Sequence, residues 1–293
     1  MTTLYLVGTP IGNLGDITYR AIETLKKVDM IACEDTRVTS KLCNYYDIKT
    51  PLKSYHEHNK EQQTSYLIDQ LEEGLNIALV SDAGLPLISD PGYELVVEAR
   101  LKNINVETVP GPNAGLTALM SSGLPSFTYT FLGFLPRKEK EKIEILNMRM
   151  FQNSTLILYE SPHRITDTLK AIAKVDSQRY VTVGRELTKK FEQVLTHSVD
   201  VMIEKISKEE IPLKGEFVIL IEGAVPLNDE FWYEMFTIKE HVNYYIENNQ
   251  IKPKQAIKMV AQDRQMKTGE VYNIYHNVAV SYTHLTLPTT PYV

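Results

Sequence analysis

The segment 77–92, IALVSDAGLPLISDPG, decides the fold. It begins with four apolar residues and continues into twelve residues that hold two aspartates, two prolines and two glycines. A short apolar run bounded by such residues is typical of a buried strand in a parallel sheet. Because ligands bind beyond the carboxyl ends of the strands in an open α/β sheet, the loop 81–92 is predicted to border a binding cleft.

Two other segments repeat this arrangement. The strand candidate 3–7 runs into GTPIGN at 8–13, and the strand candidate 106–109 runs into PGPNA at 110–114. Three loops of small residues at strand ends imply one cleft in which the backbone approaches a ligand closely. The glycines of the first loop have neither the dinucleotide-binding spacing nor the Gly-Lys-Ser/Thr of a phosphate-binding loop.

Helical patterns separate these strand candidates. Asp16–Lys27 carries an apolar stripe, and Asp16 is predicted to cap its amino end. Segments 61–73 and 91–102 also have helical periodicity, and the first is closed by Gly74. Strands and helices that alternate at this spacing predict an α/β protein with a parallel, doubly wound sheet.

Changes in pattern predict four regions. A parallel α/β domain covers 1–123, and a mixed α/β domain richer in strands covers 124–228 and closes the cleft. Three short helical segments predict a small module of helix-turn-helix type at 232–277. Its basic residues only slightly outnumber nearby acids, so charge alone leaves its role as an RNA-contacting module open: Lys252, Lys254, Lys258, Arg264 and Lys267. The last stretch, 278–293, has no helical period, is dominated by Thr, Pro and Tyr, and is predicted to be an unstructured or artefactual tail.

Bulk composition limits the function classes. The 293 residues include 31 Lys and Arg against 37 Asp and Glu, so the formal charge of −6 argues against nucleic-acid binding by bulk charge alone. Cys33 and Cys43 form no CxxC pair, which favours a reducing, cytoplasmic location. No signal-peptide pattern and no run of about 18 apolar residues is present, so no membrane partner is expected.

Charged groups at strand ends leave two interpretations open. Glu34-Asp-Thr-Arg37 fits either a helix cap with an internal ion pair or a rim that handles a polar substrate. Arg164 and Arg185 follow strand candidates, where arginine either grips phosphate or forms surface ion pairs. The His-x-His spacing at 56–58 lacks further ligands at zinc-like spacing, so no metal is predicted.

Nine segments occur in an order that is typical of a known family. They are Gly8-Thr-Pro-Ile-Gly-Asn13, Glu34-Asp-Thr-Arg37, Ser81-Asp-Ala-Gly84, Ile88-Ser-Asp-Pro-Gly92, Pro110-Gly-Pro112, Gly133-Phe-Leu-Pro136, Tyr159-Glu-Ser161, Arg185-Glu-Leu-Thr-Lys189 and Lys214-Gly-Glu216. Over about residues 3–277 the chain resembles the ribosomal RNA small subunit methyltransferase I family. That family is a tetrapyrrole-methylase-like (class III) branch of the S-adenosylmethionine methyltransferases.

This resemblance implies a fold and an activity. The expected fold has two α/β domains of the tetrapyrrole-methylase type, with the cofactor S-adenosylmethionine in the cleft between them and a small helix-turn-helix module at the carboxyl end. The expected enzyme is a homodimer that methylates the ribose 2′-hydroxyl of a cytidine in the decoding region of 16S rRNA, within the small ribosomal subunit.

The resemblance also implies residue roles by position. Residues matching the cofactor-lining loops are Pro10, Asp82, Ala83, Gly84, Pro86, Leu87, Asn113, Ala114, Tyr159, Glu160 and Gly215. The family usually has Thr where this chain has Leu85. A carboxylate, a neutral lysine, or a cation that stabilises the alkoxide can assist loss of the hydroxyl proton, and alignment of the reacting atoms alone is the alternative. The catalytic candidates are Glu34, Asp35, Arg37, Glu160, Arg185, Glu186 and Lys189.

Two other functions stay open. A tetrapyrrole methyltransferase would use the same fold, although the helical carboxyl-terminal module and the Arg- and Lys-bearing strand ends count against it. A non-catalytic rRNA-binding assembly factor would have kept the fold without its chemistry. The intact run of cleft loops counts against that second alternative.

Overall fold

A computed structural model describes residues 2–224, 233, 236–249 and 251–276 of the chain. The chain divides into two compact units, residues 1–224 and 225–293. The predicted tail at 278–293 lies outside the described residues. The predicted domain 1–123 and all but the last four residues of the predicted domain 124–228 fall inside the first unit, and the boundary predicted between them at 123 stays a prediction.

The first part of unit one is a three-layer α/β structure. Its elements are β1 (Thr3–Val7), α1 (Tyr19–Lys27), β2 (Met30–Cys33), α2 (Thr36–Tyr45), β3 (Leu52–Ser54), α3 (Lys60–Glu72), β4 (Ile77–Val80), α4 (Tyr93–Leu101) and β5 (Asn105–Val109). The strands form one parallel sheet in the order β3-β2-β4-β1-β5. The predicted parallel sheet is confirmed.

Helices cover both faces of this sheet. Leu25 of α1 and Cys43 of α2 pack on one face, whereas Leu67 of α3 and Leu95 of α4 pack on the other. The β4 residues Ile77–Val80 are all buried because they lie between these two layers. Burial on both faces explains why this strand is a continuous apolar run rather than an alternating one.

The helix α1 begins later than predicted. Asn13 accepts a hydrogen bond from the backbone N–H of Gly15 at 3.0 Å, which supports a short 3-10 turn at Leu14–Asp16. The chain then extends, and the hydroxyl of Thr18 accepts from the N–H of Ala21 at 3.1 Å. Thr18, not Asp16, is therefore the amino-terminal cap of α1.

The second part of unit one is a mixed α/β structure. Its elements are α5 (Ala114–Ser122), β6 (Tyr129–Gly133), α6 (Glu139–Arg149), β7 (Thr155–Glu160), α7 (Ile165–Val175), β8 (Tyr180–Arg185), β9 (Gln193–Ser198), α8 (Val199–Ser207) and β10 (Phe217–Ile221). The strand order is β6-β7-β10-β8-β9. Only the β6–β7 pair is parallel, and the other three pairs are antiparallel.

The two faces of this second sheet have different partners. Helices α6, α7 and α8 pack on one face through Leu146, Leu169 and Met202. Helix α5 packs on the other face, where Ala118 contacts the cluster that contains Ile157 of β7. The helix that precedes the predicted boundary at 123 therefore packs on the second sheet.

The described residues of unit two form three helices: α9 (Ile238–Asn249), α10 (Pro253–Asp263) and α11 (Thr268–His276). They share a small apolar core that includes Val242, Ile257, Val260 and Val271. The predicted helical module is confirmed within the described part of the chain. Across the described residues, no helix combines the length and the apolar character needed to cross a membrane.

Candidate functional site

Three loops from the first sheet converge, as the sequence predicts. The backbone N–H of Thr9 donates to the carbonyl of Gly84 at 2.8 Å, and that of Gly84 donates back to Thr9 at 3.1 Å. The N–H of Gly8 donates to the carbonyl of Val109 at 3.1 Å. These contacts arise because β4, β1 and β5 are parallel neighbours, so their carboxyl ends meet at one edge.

A cavity of about 360 Å³ opens where these loops face the second sheet. Its second wall comes from the carboxyl end of β7 and the amino end of β10, which lie together because the two strands are antiparallel. The lining residues are Ile11, Ala83, Gly84, Leu85, Ile88, Ser89, Asp90, Asn113, Ala114, Phe134, Tyr159, Glu160, Ser161, Pro162, Gly215, Glu216, Phe217 and Val218. This volume is in the range of cofactor sites.

The cavity has a one-sided charge. Asp90, Glu160 and Glu216 contribute carboxyl groups, and no Lys, Arg or His is among the described residues that line it. Apolar and aromatic side chains form much of the remaining wall, and Phe134 packs edge-to-face on Tyr159 with ring centroids 5.9 Å apart. This lining suits a ligand that carries positive charge and an apolar or aromatic surface.

Asp90 is held at the edge of this cavity. The hydroxyl of Ser81 donates to one Asp90 carboxylate oxygen at 2.5 Å. Burial raises the pKa of Asp90, against the lowering effect of the Ser81 hydrogen bond. Burial and the negative charges of Asp90 and Asp82 also raise the pKa of Glu34, which places Glu34 near the same carboxyl groups.

Asp82 and the segment after β2 are joined. One Asp82 carboxylate oxygen accepts from the backbone N–H of Asp35 at 3.0 Å, and burial raises the pKa of Asp82. Asp35 caps α2 by accepting from the N–H of Arg37 at 2.8 Å, and the Arg37 guanidinium pairs with it at 2.6 Å. These hydrogen bonds hold the pKa of Asp35 at about 2. For the segment Glu34-Asp-Thr-Arg37, this geometry matches the interpretation as a helix cap with an internal ion pair rather than as a rim that handles a polar substrate.

Glu160 lines the cavity, but its carboxylate is fully engaged by protein. The Thr168 hydroxyl donates to one oxygen at 2.6 Å, and the N–H of Ser161 donates to the other at 2.9 Å. Arg164 lies 3.4 Å from the second oxygen. The Lys142 ammonium donates to the Thr168 hydroxyl at 3.0 Å. This buried network fixes the turn between β7 and α7.

Arg185 anchors two loops. Its guanidinium donates to the carbonyl of Lys214 at 2.8 Å and to that of Phe191 at 3.2 Å. Lys189 forms ion pairs with Glu186 at 2.8 Å and Glu216 at 3.0 Å. Of these groups, only Glu216 lines the cavity, so Lys189 tethers a cavity residue without reaching the interior.

The structure brings together most of the predicted cofactor residues. Ala83, Gly84, Asn113, Ala114, Tyr159, Glu160 and Gly215 line the cavity. The other four do not line it: Pro10, Asp82, Pro86 and Leu87. Pro86 is buried, and Leu87 is a core neighbour of the sheet. The loop 81–92 has positive φ angles at Gly84, Leu87, Ser89 and Gly92, so the directions of its side chains do not follow from residue spacing alone.

Of the seven catalytic candidates, only Glu160 lines the cavity. Several lining residues were not among the predicted site residues, including Ile11, Ile88, Phe134 and Val218. These side chains carry no chemical signal in the sequence, because an apolar wall and an apolar core use the same residue types. Asp90 did carry a signal, since it stands in a dense run of Asp, Pro and Gly.

The described residues contain no group of three or more His, Cys, Asp or Glu side chains arranged to hold a metal ion. The imidazole rings of His56 and His58 have centroids 6.0 Å apart. Cys33 and Cys43 are buried free thiols, and burial raises the pKa of Cys33 to about 11.

Sequence comparisons place the chain among known proteins. Residues 3–201 match the family described as Tetrapyrrole (Corrin/Porphyrin) Methylases. The chain is 50% identical over 278 residues to ribosomal RNA small subunit methyltransferase I of Halalkalibacterium halodurans, covering 94% of each chain. It is 48% identical over 279 residues to the protein of that name from Bacillus subtilis, again covering 94% of each.

Solved structures share the fold of unit one. Uroporphyrin-III-C-methyltransferase from Thermus thermophilus superimposes with a TM-score of 0.54 at 20% identity, covering 78% of this chain and 98% of that one. Diphthine synthase superimposes with a TM-score of 0.58 at 12% identity, covering 75% of this chain and 90% of that one. At such identities the likeness concerns the fold alone.

Proposed function

We propose that this chain, which belongs to the tetrapyrrole (corrin/porphyrin) methylase family and within it to the ribosomal RNA small subunit methyltransferase I family, methylates 16S rRNA. The chain is an S-adenosylmethionine-dependent methyltransferase. The acceptor that we propose is the ribose 2′-hydroxyl of a cytidine in the decoding region. The identity of about one half over nearly the whole length of two relatives that bear this name supports the substrate class.

The observation that carries the assignment of the site is the charge of its cavity. S-adenosylmethionine supplies a methyl group on a positively charged sulfonium. Three carboxyl groups and the aromatic rings of Phe134 and Tyr159 line the cavity, and no cation does so among its described lining residues. The residues present therefore fit this cofactor, because carboxylates and aromatic rings attract its positive charge.

The loops have separate tasks in this proposal. The backbone at Ala83, Gly84 and Ala114 would hold the cofactor, because these small residues line the wall formed by the first sheet. Glu160 would act as a positioning residue, since its oxygens hold the β7–α7 turn. Alignment of the acceptor oxygen with the methyl group is the main requirement of an in-line displacement.

Asp90 is the best placed described group to accept the ribose proton. It lines the cavity, and its raised pKa makes it a stronger base than an exposed carboxylate. Glu34 lies near it and would accept a hydrogen bond from the substrate at the rim. Arg37 pairs with Asp35, and the Arg185 guanidinium donates to two backbone carbonyls. These contacts favour structural roles for both arginines.

The proposal extends to partners and location. We propose that two copies form a homodimer, because large apolar side chains are exposed on α5, on the connection after it and on the edge strand β6: Met120, Phe127 and Tyr129 are 88%, 102% and 47% exposed. The substrate would be rRNA within the small ribosomal subunit. That substrate and the two free thiols favour action in the cytoplasm.

The test is radiolabelled methyl transfer from S-adenosylmethionine to small ribosomal subunits from a strain that lacks this activity. Naked 16S rRNA and a precorrin-type tetrapyrrole serve as parallel acceptors. We expect label in rRNA that survives as an alkali-resistant dinucleotide, since 2′-O-methylation blocks cleavage at that ribose. Label only in the tetrapyrrole would show that the substrate is a tetrapyrrole and not rRNA. Cofactor binding without any transfer would favour a non-catalytic assembly factor.

A further inference from the structure

A second concavity lies outside the cofactor cavity. It has a volume of about 780 Å³ and is formed by side chains of α6, α7 and α8, together with those just before α6 and α7. We call it the α6–α8 groove. Five cationic and three acidic side chains line it, whereas the charged side chains among the described residues that line the cofactor cavity are all acidic. The two neighbouring depressions therefore suit ligands of opposite charge.

Ion pairs neutralise some of the charges in the α6–α8 groove but not all. Lys174 pairs with Glu139, and Arg164 pairs with Glu160. Arg137 and Lys170 are exposed and have no ion pair or side-chain hydrogen bond among the described residues. Asp167 and Asp200 of the groove also form no ion pair among the described residues, so the free cations Arg137 and Lys170 are available to an anionic ligand next to two carboxylates.

Lys142 adds a buried cation at the same groove. Its side chain is buried to 3% exposure, and its only side-chain hydrogen bond among the described residues is to the Thr168 hydroxyl. An ammonium has three donors, and no carboxylate lies within ion-pairing distance of this one in the described part of the chain. A buried, incompletely paired ammonium is costly, and an anion bound in the groove would offset that cost.

The groove begins close to the cofactor cavity. Phe134 lines the cavity and Arg137 lines the groove, so at most about 11 Å of chain separates their Cα atoms. In the β7–α7 turn, Pro162 likewise lines the cavity and Arg164, two residues later, lines the groove. Phe134 is 55% exposed at this junction and rests edge-on against Tyr159. An exposed, supported ring of this kind is a stacking platform for a base.

We propose that the α6–α8 groove binds backbone phosphates of the RNA strand next to the target ribose, with Phe134 stacking on a neighbouring base. This inference rests on the proposed rRNA methyltransferase function. Arg137 and Lys170 contact the phosphates, and Lys142 contributes its charge from below. The groove thus gives an acidic protein a local basic track for its substrate.

The test compares Arg137→Ala/Lys170→Ala with wild type in the full chain, using small subunits that lack the modification. We expect the Kd for subunits in filter binding and the KM to rise roughly tenfold, with kcat nearly unchanged. The slope of log Kd against log salt should become shallower by about 1.4, which corresponds to two lost phosphate contacts on single-stranded RNA. The matched control is Arg20→Ala/Lys26→Ala, which removes the same charges from exposed α1 positions.

Affinity for S-adenosylmethionine, measured by calorimetry, should be the same in all three proteins. A groove variant with wild-type Kd and salt slope would overturn the inference, while methylation by wild type would leave the proposed function intact. A higher Kd with an unchanged salt slope would also overturn it, because the lost contact would then not be to a phosphate. Failure of wild type to methylate any rRNA would instead remove the proposed function.

A second pair of variants tests the platform. Phe134→Leu should have a higher KM for subunits than wild type. Phe134→Tyr should have a KM close to that of wild type, because the aromatic face is retained. Equal KM values for the leucine and tyrosine variants would overturn the stacking role. Cofactor affinity is measured alongside, since Phe134 also lines the cavity.

Discussion

Gly8 and Gly111 touch through their backbones where the loop after β1 meets the loop after β5. A Cβ built on Gly8 would lie 2.7 Å from the Cα of Gly111, and one built on Gly111 would lie 2.8 Å from the Cα of Gly8. Real Cβ atoms essentially never show contacts this short, and here the atom met by the Cβ is a backbone atom that cannot rotate away. Two of the three converging loops therefore require glycine at their closest point.

Gly8→Ala should destabilise the protein by about 2 kcal/mol or more, because the methyl group pushes the loop after β1 away from the loop after β5. Urea unfolding and calorimetric titration with S-adenosylmethionine would measure stability and affinity together, and both should fall. Gly269→Ala is the control, since no atom lies within 4 Å of the added Cβ. Equal behaviour of the two variants would contradict the close approach.

Thr168→Val should destabilise the protein by about 2–4 kcal/mol, because it leaves Lys142 and one Glu160 oxygen without their shared hydroxyl. The shape of the side chain is kept, so a cavity is not the cause. Thr166→Val on the same helix is the matched control, and its effect on urea unfolding should be small. A stable Thr168→Val protein would show that the network does not hold the β7–α7 turn.

Asp90→Asn should lower kcat roughly 100-fold or more, since removal of a general base typically costs a factor of that size. In wild type kcat should rise with pH through the raised pKa of Asp90, because only the ionised carboxylate accepts a proton. The variant should lack that limb of the pH profile. A residual limb at the same pH would assign the titration to another group, such as Glu34.

Asp90→Asn should also be more stable than wild type at pH 7. The folded protein raises the pKa of Asp90 above its ordinary 3.8, so the folded state binds more protons than the unfolded state. The free energy of unfolding therefore falls as pH rises from the unfolded pKa through the folded pKa. Melting temperatures of the two proteins should converge at acid pH and separate at neutral pH. A constant difference would contradict this linkage.

Truncation after Ala224 should spare cofactor binding and impair action on subunits. All described residues that line the cofactor cavity lie between 11 and 218, inside the first compact unit. The KM for subunits should rise roughly tenfold or more if the second unit supplies phosphate contacts, whereas calorimetric affinity for S-adenosylmethionine should not change. Wild-type kinetics on subunits would remove the RNA-contacting role from this unit.

Much of the fold follows from local sequence. The run Ile77–Val80, its loop and the helical periods around them specify a parallel sheet, because a strand buried on both faces must be apolar throughout. The cap of α1 did not follow from the sequence, because Asp16 and Thr18 both offer a side-chain oxygen that could cap the helix. The short turn after Asn13 delays the start of the helix, and Thr18 is therefore the cap. Boundaries of this kind depend on a few hydrogen bonds.

The sequence by itself determined which loops meet, because parallel neighbouring strands bring their carboxyl ends to one edge. It also determined the residue types that allow close approach, such as Gly8 and Gly84. Only the tertiary structure decided which charges face the ligand. It turned Asp90 towards the cavity and engaged Arg185 with backbone carbonyls. The reason is that the direction of a side chain depends on loop conformation and on partners far away in the chain, which local patterns do not encode.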